Sequence, residues 1–185
     1  MAERVCPVWV GYLLASPVRK LFENPKKILG EYIKEGMTVL DLGSAMGFFS
    51  IPAARMVGPK GKVICIDVQE KMIEKLKKRT QRAGILDRIG TIVCDENSLK
   101  LTDYTNKIDF AFAFAVIHEV SNVDSFFSET YKALKSNTKF FIAEPKGHVT
   151  VEDFKKTVSI AEQNGFKVID KPKAGRNLTV LLEKT

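Results

Sequence analysis

Asp41, Gly43, Ser44, Ala45 and Gly47 fall within one short segment, Val39-Leu40-Asp41-Leu42-Gly43-Ser44-Ala45-Met46-Gly47-Phe48-Phe49-Ser50, in which an apolar run breaks into a turn of small residues. Glycine lets a backbone approach a bound ligand without a Cβ in the way, and open α/β sheets bind their ligands outside the carboxyl ends of their strands. Twenty residues after Gly47, Ile64-Cys65-Ile66-Asp67 closes a second apolar run with an acid. An acid at that distance can accept hydrogen bonds from both ribose hydroxyls of an adenosine laid across the first turn; its plainer role is to start the turn before the next helix. The first turn is not a dinucleotide fingerprint. The positions that G-x-G-x-x-G requires are Gly43, Ala45 and Phe48, and Phe48 in the third slot argues against a pyrophosphate cradle. No G-x-x-x-x-G-K-[ST] occurs, which excludes a P-loop.

A second group of reactive residues follows two later apolar runs: His118-Glu119 after Ile108 to Phe114, and Glu144-Pro145-Lys146-Gly147-His148 after Lys139 to Ala143. Both histidines of the chain and two glutamates thus lie at one sheet edge, where they can form a base or ligand cluster. No H-E-x-x-H or comparable spacing supports a metal, and none is expected. Cys6, Cys65 and Cys94 cannot all pair and lack a CxxC spacing, so neither a disulfide framework nor a structural zinc site is indicated.

The elements that must hold these residues are legible as alternation. Strand-length apolar runs span Thr38 to Leu42, Lys62 to Asp67, Gly90 to Cys94, Ile108 to Phe114, Lys139 to Ala143, Phe166 to Ile169 and Leu178 to Leu182. Between them, helical spacing of apolar residues marks Phe49 to Met56, Gln69 to Ala83, Ser125 to Leu134 and Val151 to Asn164. The last two runs are separated by too few residues for a crossover helix, so they must be antiparallel neighbours. The expected fold class is α/β, a doubly wound, mostly parallel seven-stranded sheet with an antiparallel last strand and helices on both faces.

The 185 residues, 45% hydrophobic and 28% charged, suit one soluble domain. Residues 37–185 form it. Residues 1–36, broken by Pro7, Pro17 and Pro25 but carrying Trp9, Tyr12, Leu14 and Phe22, are expected to act as a helical lid over the mouth of the sheet, with Cys6 as either a thiol at that mouth or a small apolar residue. The apolar stretch from Val8 to Ala15 is too short to span a bilayer and is not organised as a signal peptide, so a cytoplasmic location is expected. A net charge of +7 permits an anionic partner, yet Glu70 and Glu74 interrupt the basic run from Lys71 to Arg82. That run reads as a solvated helix face, with only weak, non-specific nucleic-acid binding expected.

Residues 37–185 resemble a class I, Rossmann-like S-adenosylmethionine-dependent methyltransferase. VLDLGSAMGFFS resembles that family's first motif, D-x-G-x-G-x-G, with Ala45 in place of the second glycine. VICIDVQEKMI resembles the acidic second motif, Val93-Cys94-Asp95-Glu96-Asn97 the third, and Ile108 to Phe114, followed by Ala115-Val116-Ile117-His118-Glu119-Val120, the fourth. The resemblance implies S-adenosyl-L-methionine as cofactor, held by Asp41, Gly43, Ser44, Ala45, Gly47 and Phe48 in the first motif and by Asp67 at the ribose. Val68 and Met72 would cover the adenine, with Asp95 or Glu96 near its amino group and Ala113 on the fourth strand. Asp95 equally suits a turn or helix cap, and Met72 a helix core. His118 and Glu119 are the catalytic candidates, as a base for a hydroxyl or protonated amine; His118 equally suits a structural cap. A small-molecule acceptor is expected. An RNA or protein methyltransferase, or a cofactor-binding protein without activity, are the alternatives.

Overall fold

The computed structural model describes residues 23–185. Among these, the strands are β1 (Thr38–Leu42), β2 (Lys62–Asp67), β3 (Ile89–Val93), β4 (Phe110–Phe114), β5 (Lys139–Pro145), β6 (Phe166–Asp170) and β7 (Asn177–Lys184). The helices are α1 (Pro25–Leu29), α2 (Ser50–Met56), α3 (Glu70–Arg82), α4 (Val123–Ala133) and α5 (Val151–Gln163). Sheet order is β3-β2-β1-β4-β5-β7-β6. β1 with β2, β2 with β3 and β4 with β5 are parallel pairs, while β7 runs antiparallel to both β5 and β6. This is the mixed seven-stranded sheet that the alternation of the sequence implies. No described helix is long and apolar enough to cross a membrane.

Two compact units divide the chain, one ending at Cys94 and the other starting at Asp95. In the first, Val39, Leu40 and Leu42 of β1 and Val63 to Ile66 of β2 are buried on successive positions, as expected for parallel strands covered on both faces. Helix α3 buries Met72, Ile73, Leu76 and Thr80, a stripe at three- and four-residue spacing, and leaves most of its charges outside. It stops at Ala83, where Gly84 takes φ +66°. Residues 25–36 are packed into this unit. Asn24 caps α1, Leu29 and Ile33 are buried, and the Gly36 amide donates to the Val57 carbonyl at 2.8 Å. The rest of the segment expected as a lid, including Cys6, Trp9, Tyr12, Leu14 and Phe22, lies outside the described residues.

The second unit is built on aromatic rings. Phe127 of α4 meets Phe140 and Phe166 edge-on at 6.2 and 6.0 Å between ring centres, and Phe114 stacks on Phe141 at 5.3 Å. Removing one such fully buried ring costs about 3–5 kcal/mol. Asn122 and Thr150 cap α4 and α5 by accepting from the amides of Ser125 and Asp153. The fourth strand begins two residues later than its apolar run. Ile108 bridges to Leu134, and the ladder with β5 opens at Ala111 opposite Phe140. Near the C-terminus Lys184 is buried, donating to the Leu134 carbonyl at 2.7 Å and lying 4.5 Å over the Tyr131 ring, and its desolvation lowers the ammonium pKa.

Candidate functional site

The turn after β1 is shaped by three left-handed residues, Gly43 at φ +74°, Ala45 at +44° and Gly47 at +84°. Glycine adopts this conformation freely, whereas an L-residue such as Ala45 pays roughly 1–2 kcal/mol. Several bonds hold it there. The amides of Gly43 and Ser44 both donate to the Ile66 carbonyl at 2.9 Å, fastening the turn to the end of β2. The Ala45 amide donates to Oδ2 of Asp67 at 2.9 Å. From α3, the Arg79 guanidinium donates to the Met46 carbonyl at 2.5 Å. A Cβ on Gly47 would stand 2.3 Å from Cδ1 of Leu76, so the absent side chain makes room for α3.

Asp67 does what its turn role requires and more. Oδ1 accepts the Gln69 amide at 2.9 Å while Oδ2 accepts Ala45, leaving further acceptor capacity on each oxygen. Burial raises its pKa, against the two amide bonds that lower it. Asp41, by contrast, is 3% exposed and works beneath the turn, where its Oδ2 accepts the Ser50 hydroxyl at 2.5 Å at the first residue of α2. Burial pushes its pKa up to about 7, opposed by the Ser50 bond and reinforced by the negative charge of Asp67. Ser44 is also buried, and its hydroxyl has no hydrogen-bond partner among the described residues. A buried hydroxyl without a partner is costly.

The remaining residues of the first unit divide by exposure. Phe48 is buried edge-on against Phe49 at 5.1 Å and Met72 is in the core of α3, whereas Val68 is 40% exposed beside Asp67. In the second unit, Asp95 is exposed and forms a turn: its Oδ1 accepts the amides of Asn97 and Ser98 at 3.0 and 2.9 Å, and Oδ2 lies 3.6 Å from the Lys100 ammonium. Those bonds, the Asn97 amide foremost, hold its pKa down. Glu96 is exposed on the same turn, and Ala113 is fully buried within β4.

The carboxyl ends of β4 and β5 bring His118, Glu119, Glu144 and His148 together. Glu144, at 1% exposure, accepts the amides of Val116 and Ile117 on Oε1 at 3.1 and 2.8 Å, and its Oε2 takes Nδ1 of His118. On its other side, Nε2 of His118 is 4.0 Å from Oε1 of Glu119, and the His118 and His148 ring centres are 5.8 Å apart. The Glu144 bond raises the His118 pKa, partial burial opposes it, and the charges of Glu144 and Glu119 add to the rise. No group of three or more His, Cys, Asp or Glu among the described residues is arranged to hold a metal ion. Two contributors were not evident from the sequence: Arg79 as a tether of the first turn, and Glu144 as the anchor of the turn after β4. Both partnerships depend on residues 26 to 33 positions apart.

A turn of small residues with an orphaned buried hydroxyl, next to an acid with spare acceptor capacity, fits the polar tail and ribose of S-adenosylmethionine. It offers no row of glycines for a pyrophosphate. Known proteins agree. A family described as a methyltransferase domain matches residues 33–184. The ubiquinone/menaquinone biosynthesis C-methyltransferase UbiE of Pasteurella multocida is 26% identical over 126 residues, 68% of this chain and 43% of that protein. The enzyme of that name from Salmonella arizonae is 28% identical over 127 residues, 68% of this chain and 46% of that protein. The match spans less than half the length of these curated relatives. Among solved structures, an S-adenosylmethionine-dependent methyltransferase from Aquifex aeolicus superimposes with a TM-score of 0.87 at 28% identity, covering 98% of this chain and 100% of that one. Phosphoethanolamine N-methyltransferase 2 of Haemonchus contortus, in complex with phosphomonomethylethanolamine and S-adenosylhomocysteine, gives 0.61 at 26% identity over 77% of this chain and 36% of its own. By the family match over most of its length and by the sheet that carries these motifs, the chain belongs to the class I, Rossmann-like S-adenosylmethionine-dependent methyltransferases.

Proposed function

We propose that the protein transfers a methyl group from S-adenosylmethionine to a small-molecule acceptor. The observation that carries this reading is the first turn itself, pinned to the Asp67 carboxylate through Ala45 with the Ser44 hydroxyl left unsatisfied. Asp67 would accept from the ribose hydroxyls, and the backbone of Gly43 to Gly47 with Ser44 would hold the methionine part. Val68 would flank the adenine. S-adenosylmethionine, when bound, supplies an electrophilic methyl group on a sulfonium whose sulfur keeps the bonding pair as the methyl leaves. The chain's own task is then alignment and proton handling. His118 would take a proton from the acceptor, with Glu119 beside it.

The small-molecule reading draws on two relatives. The curated ones are named for ubiquinone and menaquinone biosynthesis, and the Haemonchus complex contains phosphomonomethylethanolamine. On α3, the exposed Lys71, Lys77 and Lys78 alternate with exposed Glu70 and Glu74, which weakens any single-sign field for nucleic acid. The test is a panel of candidate acceptors incubated with S-adenosylmethionine, read as release of S-adenosylhomocysteine. Turnover of a small molecule supports the reading. Submicromolar binding to an RNA at physiological salt, with methyl transfer into it, would replace it by the nucleic-acid alternative.

A further inference from the structure

We propose that Glu144 is a positioning residue that locks His118 with its proton on Nδ1, so that Nε2 presents the lone pair that receives the proton of the methyl acceptor. This rests on the reading of the β4 and β5 ends as the acceptor side of a methyl-transferring enzyme. Glu144 has two oxygens with separate duties. Oε1 takes the two amides of Val116 and Ile117, which is enough to hold the turn. Oε2 is left over for His118, and a carboxylate oxygen accepts without donating, so the ring nitrogen facing it must carry the proton. The turn itself is strained: Ala115 sits at φ +56°, tied by its amide to the Ala143 carbonyl at 2.8 Å. Left-handed backbone at a non-glycine residue persists where its surroundings over-determine it, and here the buried Glu144 does so.

A partly exposed imidazole needs no buried carboxylate to be stable in water. Fixing one ring nitrogen on Glu144 therefore matters for the other. Nε2 lies on the side of Glu119, with the His148 ring alongside; together with Glu144 these are the titratable groups that face the ring among the described residues. When the acceptor gives up its proton, that proton forms the Nε2–H bond of an imidazolium, whose charge Glu144 and Glu119 offset, and solvent takes it from the partly exposed ring afterwards.

The chain holds only two histidines, so nitrogen-15 NMR of the ring-labelled protein can read His118 alone, with a His148→Asn variant to assign it. In the parent protein the neutral His118 ring is expected to carry its proton on Nδ1, and its pKa to lie above that of an ordinary histidine. In Glu144→Gln the amide N–H can face Nδ1, so the proton moves to Nε2 and the pKa falls toward the ordinary value; Glu144→Asp restores part of the parent pattern. A neutral ring protonated on Nε2 in the parent protein overturns the proposal even if the Gln variant does not fold, as does a parent-like titration in a folded Gln variant. Calorimetry with S-adenosylhomocysteine on the same samples separates the two readings. Absent binding in the parent overturns the methyltransferase reading, whereas the His118 tautomer tests Glu144 without any cofactor.

Discussion

The Ala45 amide donates to Oδ2 of Asp67 at 2.9 Å, joining the turn after β1 to the acid at the end of β2. One carboxylate therefore shapes the turn, and in the proposed function it would also accept from the ribose. Asp67→Ala should weaken S-adenosylhomocysteine binding by roughly 1.5–3 kcal/mol, the range for lost charge-assisted hydrogen bonds, and should also lower Tm because two amides lose their acceptor. Calorimetry and thermal unfolding of the same variant check both. An unchanged Kd would leave Asp67 with its turn-forming role alone.

Arg79 reaches the same loop from α3 through the Met46 carbonyl. Arg79→Met keeps the apolar stem and removes the donor. The expected result is about a five-fold loss of S-adenosylhomocysteine affinity, equivalent to about 1 kcal/mol for one hydrogen bond, with a native circular dichroism spectrum. Affinity equal to the parent's would remove Arg79 from the account of the loop.

Gly47 cannot accept a side chain cheaply, since its left-handed φ and the 2.3 Å approach to Leu76 both oppose one. Gly47→Ala should destabilise the protein by about 2 kcal/mol or more. Adding Leu76→Ala should recover the share due to the clash while leaving the share due to φ. Urea denaturation of the single and double variants separates the two, and a double variant less stable than the sum of its singles would contradict this assignment.

Asp41 sets a pH dependence of stability. Its folded pKa of about 7 lies above its ordinary value of 3.8, with burial the main cause. The native state therefore holds the proton more tightly, so the stabilisation is fully present below the ordinary value and is lost as pH rises through about 7. Asp41→Asn stays neutral and can still accept from Ser50. Its Tm relative to the parent should rise between about pH 4 and about pH 7 and level off above that. Parallel profiles for the two proteins would show that Asp41 ionises without penalty.

Much of this was legible in the chain. β1 and β2 have the bounds of their apolar runs, because segments rich in Val, Ile and Leu and buried at successive positions suit a strand covered on both faces. The glycine turn and Asp67 were visible as residue types at a fixed distance. The partnerships were less so. Asp41 sits in an apolar run, which signals burial, but nothing local shows that Ser50 satisfies it. Met72 follows the acid closely enough to suggest an adenine wall, yet its place on the helical stripe with Leu76 puts it in the core. Gly47 looked like a site of ligand approach, and its clash with Leu76 depends on how α3 packs. Glu144 was legible as a member of the His118 and His148 edge cluster, but its three bonds exist only because β4 and β5 end side by side.

In the proposed function the first turn and Asp67 hold S-adenosylmethionine rather than a dinucleotide. Isothermal titration of the protein with S-adenosylhomocysteine, and separately with NAD, tests it most directly. Saturable binding of S-adenosylhomocysteine with a stoichiometry near one and no heat from NAD is the predicted result, whereas tight NAD binding with no response to S-adenosylhomocysteine would contradict it.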